Sequence, residues 1–106
     1  MKRTKSYHKS LIRDLKDPVE AAEYINAALE EGDVRQLLVS LRNVAEAQGG
    51  LTRIARRARL NRGNLYRILS KRGNPEIHSL ENILNLFGLR MAVVANHGHQ
   101  CHHVAA

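Results

Sequence analysis

Apolar residues recur every three or four positions in five stretches of the chain, the spacing that gathers side chains on one face of an α-helix. The stretches lie at 17–31, 33–48, 52–58, 61–72 and 75–87. Glycine-containing or polar segments separate them, as expected for the connections between helices. The pattern therefore predicts an all-α chain of about five helices, which form a single domain over residues 17–95.

Start and stop signals support the first two of these helices. Asp17 is followed by Pro18 and, three residues after the aspartate, by Glu20, which is the pattern of a capped helix start. Gly32 is a typical stop for the helix 17–31. Asp33 then repeats the start signal for the next helix.

The last apolar segment has a different period. Leu89, Met91, Val93 and Ala95 alternate with Arg90, Ala92 and Val94. A period of two is typical of a β-strand, so we expect a short C-terminal strand over 89–95. A lone strand cannot satisfy its own backbone, so this one must pair with a second copy or with a partner. The tail 96–106 is polar and rich in histidine, and we expect it to be disordered and to hold no metal site.

The composition fits a small binding protein. The chain has 106 residues, of which 43% are hydrophobic, and a net charge of +7, which suits one domain with an anionic partner. The single cysteine excludes an internal disulfide. No apolar run approaches the roughly 20 residues of a membrane span, and we expect a cytoplasmic protein that does not bind membranes. Because no nucleophile–base pair or glycine-rich phosphate loop is evident, we expect neither an enzyme nor a cofactor.

The charges fall into blocks of one sign. Residues 1–16 contain six bases and one acid, residues 17–33 contain six acids and no base, and residues 47–75 contain eight bases and no acid. Solvated helices normally interleave both signs, so these blocks indicate two different partners, a polyanion and a cation-rich surface. Two interpretations of the basic N-terminal arm 1–16 stay open, an arm that wraps DNA and a disordered solubilising tail.

The segment 51–69 is the most informative, because it contains two short helices separated only by Arg59 and Leu60. Ala55 is small enough to let the helices cross closely, and Asn61 can cap the second helix. In a helix-turn-helix the second helix enters the major groove of DNA. The candidate DNA-binding residues are Thr52, Arg53, Asn61, Arg62, Gly63, Asn64, Tyr66, Arg67 and Lys71.

These residues also have plainer interpretations. The arginines could form an ordinary solvated helix face, Asn61 could be a cap alone, and Tyr66 could pack over the edge of the core. The absence of acids from the whole segment favours a DNA contact for Arg62 and Arg67.

The segment 51–69 resembles the λ-repressor-like, XRE-type DNA-binding domain. The segments 15–33 and 73–93 more narrowly resemble the addiction-module antidote proteins, which are similar to the HigA-type antitoxins of bacterial toxin–antitoxin pairs. The resemblance implies an antitoxin that binds a RelE-like ribonuclease toxin and represses its own operon by binding double-stranded operator DNA, usually as a homodimer. Together with the acidic block, it makes the helix 17–31 the candidate toxin-binding element, with contacts from Glu20, Glu23, Tyr24, Ile25, Leu29 and Glu30.

Two positions depart from the family pattern. Arg59 stands where the tight turn usually has glycine, so the turn is either strained or re-formed. We expect Thr52 to cap the first helix of the motif, which makes that helix short at its start. Leu51 then stands where λ-type repressors often have glutamine.

Two other functions are also compatible with the sequence. One is a stand-alone or prophage-type repressor that has no toxin partner. The other is a nucleoid- or RNA-associated basic protein without sequence preference, whose binding would be abolished by salt and competed equally well by any DNA.

Overall fold

Six α-helices form the part of the chain that the computed structural model describes, residues 5–70 and 74–96. They are α1 (Lys5–Asp14), α2 (Pro18–Glu31), α3 (Val34–Ala47), α4 (Leu51–Ala58), α5 (Arg62–Ile68) and α6 (Ile77–Leu86). The predicted all-α class is confirmed, and the structure adds α1 to the five helices that the apolar pattern predicts.

The ends of α2 and the start of α3 follow the predicted signals. The Asp17 side chain accepts a hydrogen bond from the backbone N–H of Val19 at 3.0 Å, and the Asp33 side chain accepts one from Arg35 at 2.9 Å. Gly32 adopts the left-handed conformation, with φ 72°, and donates its N–H to the Leu29 carbonyl. Each bond satisfies a terminal backbone group that the helix itself leaves unpaired.

Helix α3 is the centre of the core. It packs against α1, α2 and α4, and α4 in turn packs against α5 and α6. The side chains of Leu38, Leu41 and Val44 are fully buried. Burial of each such side chain contributes about 1.5–3 kcal/mol, and α3 is the helix that joins α1, α2 and α4.

Helix α1 lies inside the segment that the charges marked as a basic arm. Leu11 and Ile12 pack against the core, and Leu15, just beyond the helix, is 2% exposed. His8 Nε2 lies 3.1 Å from a carboxylate oxygen of Glu46 on α3. The described part of the arm is therefore a helix that packs on α3. The helical spacing of its apolar residues indicates this helix, whereas the number of charges does not.

One predicted feature is not seen, and another is wrong. The segment 89–95 is not a β-strand in the described residues, because a single copy offers it no neighbouring strand. Thr52 does not cap α4, which begins one residue earlier at Leu51 with Gly50 as its N-cap. Gly50 has φ 96°, and this glycine conformation turns the chain directly from the end of α3 into α4.

A membrane-crossing role finds no support among the described helices. None of them is both long enough and apolar enough to cross a bilayer.

Candidate nucleic-acid interface and acidic helix

A tight turn joins α4 to α5. Arg59 has φ 58° and ψ 38°, and it is the one non-glycine residue with positive φ in the described chain. The Leu60 N–H donates to the Ala55 carbonyl at 2.8 Å, and the Arg59 N–H donates to the Arg56 carbonyl at 3.2 Å. These bonds end α4 as a left-handed helix cap would. The turn thus keeps the conformation that glycine favours, at a cost of about 1 kcal/mol or more.

The start of α5 is fixed by Asn61. Its Oδ1 accepts a hydrogen bond from the Asn64 N–H at 3.0 Å, which confirms Asn61 as the N-cap. Gly63 leaves room for this cap, because a Cβ at Gly63 would lie 3.1 Å from the same Oδ1.

Helix α5 is anchored on one side only. Leu65 and Leu69 are fully buried, and Ala55 of α4 is 3% exposed where the two helices meet. At the other end of α5, the Arg42 guanidinium of α3 donates to the carbonyl oxygen of Leu69. The orientation of α5 is therefore set by buried leucines, a cap at its start and an arginine at its end.

The opposite side of α5 faces solvent. Gly63, Asn64 and Arg67 are exposed, and Tyr66 is 61% exposed. The Arg67 guanidinium donates a hydrogen bond to Asn64 Oδ1, which holds these two polar side chains together. Tyr66 is directed to solvent and does not cover the core edge.

The predicted DNA-binding residues also include Arg62 and Lys71. Arg62 is the first residue of α5, which is the position the prediction gave it. Lys71 lies outside the described residues.

The first turn of α4 adds Thr52 and Arg53, both exposed. A Cβ at Gly49 would lie 2.5 Å from Cδ of Arg53, so the Arg53 side chain lies directly over this glycine. The absence of a side chain at Gly49 makes room for Arg53 at this place, a contact that sequence spacing does not reveal.

The charge around this surface is of one sign. No acid occurs between residues 47 and 75, and Arg53, Arg56, Arg57, Arg59 and Arg67 are all exposed. Glu46, the acid that precedes the stretch, is engaged by His8. The α4–α5 segment therefore combines exposed arginines with an exposed polar helix, which is suited to a phosphate backbone and to base edges.

The acidic helix α2 presents a second surface. Glu20, Glu23, Glu30 and Glu31 are exposed. Ala21, Ile25 and Ala28 are buried against the core. The helical repeat of 3.6 residues places Glu23 and Glu30 on the side of α2 opposite the buried residues, and it places Glu20 and Glu31 on one flank of the helix. Four exposed carboxylates are therefore available to a cationic partner.

The other predicted toxin contacts, Tyr24, Ile25 and Leu29, differ in how far they are exposed to solvent. Tyr24 is half-buried, and its hydroxyl accepts a hydrogen bond from Asn43 Nδ2 of α3 at 2.8 Å. Ile25 is 4% exposed and belongs to the core, so it supports α2 without offering surface. Leu29 is 52% exposed and lines an apolar groove between α2 and α6.

The comparison with known proteins covers both surfaces. The family described as "probable addiction module antidote protein" matches residues 6–95. The chain belongs to this antidote family. The match runs from the second residue of α1 to the end of the apolar C-terminal segment, so the acidic helix and the α4–α5 pair both lie within it.

One curated relative matches about two thirds of the chain. An uncharacterized protein of Haemophilus influenzae is 31% identical over 70 residues, which cover 66% of this chain and 71% of the relative. No solved structure matches the chain. Membership of an antidote family implies a toxin partner.

Sequence reasoning missed several residues of the antidote protein's surfaces. Arg42 and Gly49 position α5 and Arg53 from elsewhere in the chain. Asn74 and Ser79 line a shallow hollow beside Asn64 and Arg67, between α5 and the start of α6. No local sequence signal identifies them, because their roles depend on contacts between helices.

Proposed function

We propose that the chain is the antitoxin of a type II toxin–antitoxin pair. It neutralises a RelE-like ribonuclease toxin by direct binding, and it represses its own operon by placing α5 in the major groove of double-stranded operator DNA as a homodimer. In this proposal it is a binding protein of the cytoplasm, with no catalytic activity and no cofactor.

One observation carries the DNA-binding part of the proposal. Helix α5 is held by buried Leu65 and Leu69 on one side and presents Asn64, Tyr66 and Arg67 on the other. A short helix that is anchored in the core and exposes polar side chains from its first turns matches the geometry of a recognition helix. The surrounding arginines would neutralise phosphates on either side of the groove.

The acidic helix supports the toxin-binding part. A ribonuclease must bind RNA, so its active surface is expected to be basic. The carboxylates of Glu20, Glu23, Glu30 and Glu31 would attract such a surface and would be repelled by DNA. The two charged surfaces therefore suit two different partners.

The family argues for a toxin partner over a stand-alone repressor. An antidote protein has a toxin to neutralise, whereas a prophage-type repressor needs no acidic helix. A basic protein without sequence preference is also less suited, since α5 offers side chains that can reach base edges.

Two measurements test the proposal. The chain is co-expressed with the product of the adjacent reading frame, and we expect rescue of growth and co-purification of the two proteins. In gel-shift titrations at fixed salt, we expect the promoter DNA of its own operon to bind at least a thousandfold more tightly than random DNA. Equal affinity for both DNAs would overturn the repressor part, and growth arrest without a complex would overturn the antitoxin part.

A further inference from the structure

Residues 91–95 of the C-terminal segment are exposed and apolar, whereas Leu89 packs against the core. Val93 is 99% exposed, Val94 is 82% exposed and Met91 is 42% exposed. Scattered exposed apolar residues are common, but a contiguous run of them marks an interaction surface.

The backbone of this segment is also unpaired. The Leu89 N–H donates to the Leu84 carbonyl at 2.9 Å, and from Arg90 to Asn96 no backbone group bonds to another described backbone group. Unpaired N–H and C=O groups next to β-branched side chains can accept a strand by backbone pairing.

The segment starts beside an apolar support. Leu89, Met91 and Ala92 line the groove between α2 and α6 that Leu29 also lines; its volume is about 370 Å³, and Leu80 and Leu84 form its α6 side. Two paired strands are only marginally stable in water and need a helix surface to pack on. The groove offers such a surface at the point where the chain leaves α6.

We propose that residues 89–95 form the homodimer contact, by antiparallel pairing with the same segment of a second copy. The inference rests on the proposed function in two respects, because that function takes the DNA-bound form to be a homodimer and the toxin surface to be basic. It names the surface through which the two copies join.

The charge of the segment 89–95 favours a second copy of the chain over the toxin as its binding partner. Arg90 is the one charged residue in 89–95, so a basic toxin would gain no ion pair there and would meet a like charge. In an antiparallel pair centred on Ala92 or Val93, Arg90 lies opposite Val94 or Asn96 and not opposite its own copy. Apolar residues then face apolar residues across the axis, with no like charges in register.

A charge exchange at Val93 tests the pairing with the full chain. Val93 is fully exposed in the single copy, so Val93→Glu and Val93→Lys leave its fold intact. In the paired form, the charge introduced at position 93 lies close to the same charge in the second copy. The two charges are either directly opposite or diagonal to each other across the paired strands. We expect each variant alone to raise the dimer dissociation constant at least tenfold, as measured by sedimentation equilibrium over a range of concentrations.

Mixing the two variants supplies the deciding result. An equimolar mixture of Val93→Glu and Val93→Lys should form heterodimers with a dissociation constant within a few fold of the unmodified chain. The matched controls are Val19→Glu and Val19→Lys, which charge an apolar residue that is 64% exposed on α2. These should dimerise like the unmodified chain.

Three outcomes would overturn the inference. The first is normal dimerisation of both Val93 variants, which would move the interface elsewhere while leaving the proposed function intact. The second is a chain that stays near its monomer mass of 11.9 kDa at all concentrations and on operator DNA. The third is a chain that is monomeric alone but whose Val93 variants lose the toxin, which would assign the segment to the toxin. Specific operator binding, measured separately on the unmodified chain, reports on the proposed function itself.

Discussion

The Arg42 guanidinium donates a hydrogen bond to the Leu69 carbonyl oxygen, and this bond joins the middle of α3 to the end of α5. Arg42 is half-buried and Leu69 is fully buried. The last carbonyls of a helix have no partner within it, so a charged donor from α3 satisfies a group that the core would otherwise leave unpaired. The central helix therefore controls where α5 ends.

Replacing Arg42 should weaken both stability and DNA binding. In Arg42→Ala a buried carbonyl loses its donor, which lowers the free energy of unfolding by about 1–3 kcal/mol. Arg42→Lys keeps a charged donor and should lose less. Urea unfolding and operator gel shifts measure the two effects. Arg35→Ala, an exposed residue of α3, is the control, and an equal loss in that variant would contradict a specific role for Arg42.

The turn residue Arg59 should be more stable as glycine. Its φ of 58° is unfavourable for any residue with a Cβ, so Arg59→Gly should raise the free energy of unfolding by about 1 kcal/mol. For a domain of this size, that corresponds to an increase in Tm of about 4–8 °C. Arg59→Ala retains the Cβ and should show no such gain. A lower Tm for Arg59→Gly would mean that the arginine side chain makes a stabilising contact.

Gly49 should not tolerate even alanine. Its φ is 112°, and a Cβ there would lie 2.5 Å from Cδ of Arg53. We expect Gly49→Ala to lower the free energy of unfolding by about 1–3 kcal/mol, and to weaken DNA binding because Arg53 must move. Gly63→Ala is the comparison, since its Cβ would meet the cap oxygen at a milder 3.1 Å. Equal stability of Gly49→Ala and the unmodified chain would show that this connection has a different conformation.

The features that depend on interactions between residues close in sequence could be predicted from the sequence. The caps at Asp17, Asp33 and Asn61 act on backbone groups two or three residues away, and each is confirmed. The predicted cap of α4, Thr52, lies two residues after the observed cap, Gly50, because two consecutive positive-φ glycines, at 49 and 50, have no side-chain signal of their own. The predicted strand 89–95 is not seen in the described residues, because an alternating sequence cannot itself supply the neighbouring strand that a β-strand needs.

In the candidate DNA-binding site too, the features set by the local sequence could be predicted, and those set by contacts between helices could not. The exposed side of α5 follows from the positions of buried leucines, which the apolar pattern indicates. The bond from Arg42 and the position of Arg53 over Gly49 join residues of different elements, and they depend on how α3, α4 and α5 pack. The same holds for Tyr24 and Asn43, which tie α2 to α3 at 2.8 Å.

Arg67 should contribute to sequence-specific DNA binding, and so should Arg62. Arg67 is exposed on α5 and is held by Asn64, so in the major groove it would reach base edges with a fixed orientation. Arg67→Ala or Arg62→Ala should weaken operator binding by about 1–3 kcal/mol without changing the affinity for random DNA. Arg56→Ala and Arg57→Ala on the flank of α4 should weaken both DNAs alike. Gel shifts on paired operator and random duplexes measure the difference, and normal operator binding by the two α5 variants would refute the recognition-helix assignment.

The exposed carboxylates of α2 should speed association with the toxin. Removing α2 altogether is not a clean test, because Ala21, Ile25 and Ala28 belong to the core. Charge reversal at Glu20, Glu23, Glu30 and Glu31 leaves those buried residues in place, since all four glutamates are exposed. We expect the association rate to fall at least tenfold at low salt, with little change in the dissociation rate, because exposed charges steer encounter more than they hold the complex.

Salt dependence and a single-site comparison complete that test. The difference between the reversed and unmodified chains should shrink as salt shortens the screening length from about 30 Å at 0.01 M to about 8 Å at 0.15 M. Glu23→Lys should slow association, whereas Glu81→Lys, an exposed reversal on α6, should not. Stopped-flow or surface-based kinetics with the purified toxin measure both rates. If Glu81→Lys slowed association as much as Glu23→Lys, only the net charge would matter, and α2 would lose its assignment as the toxin-facing surface.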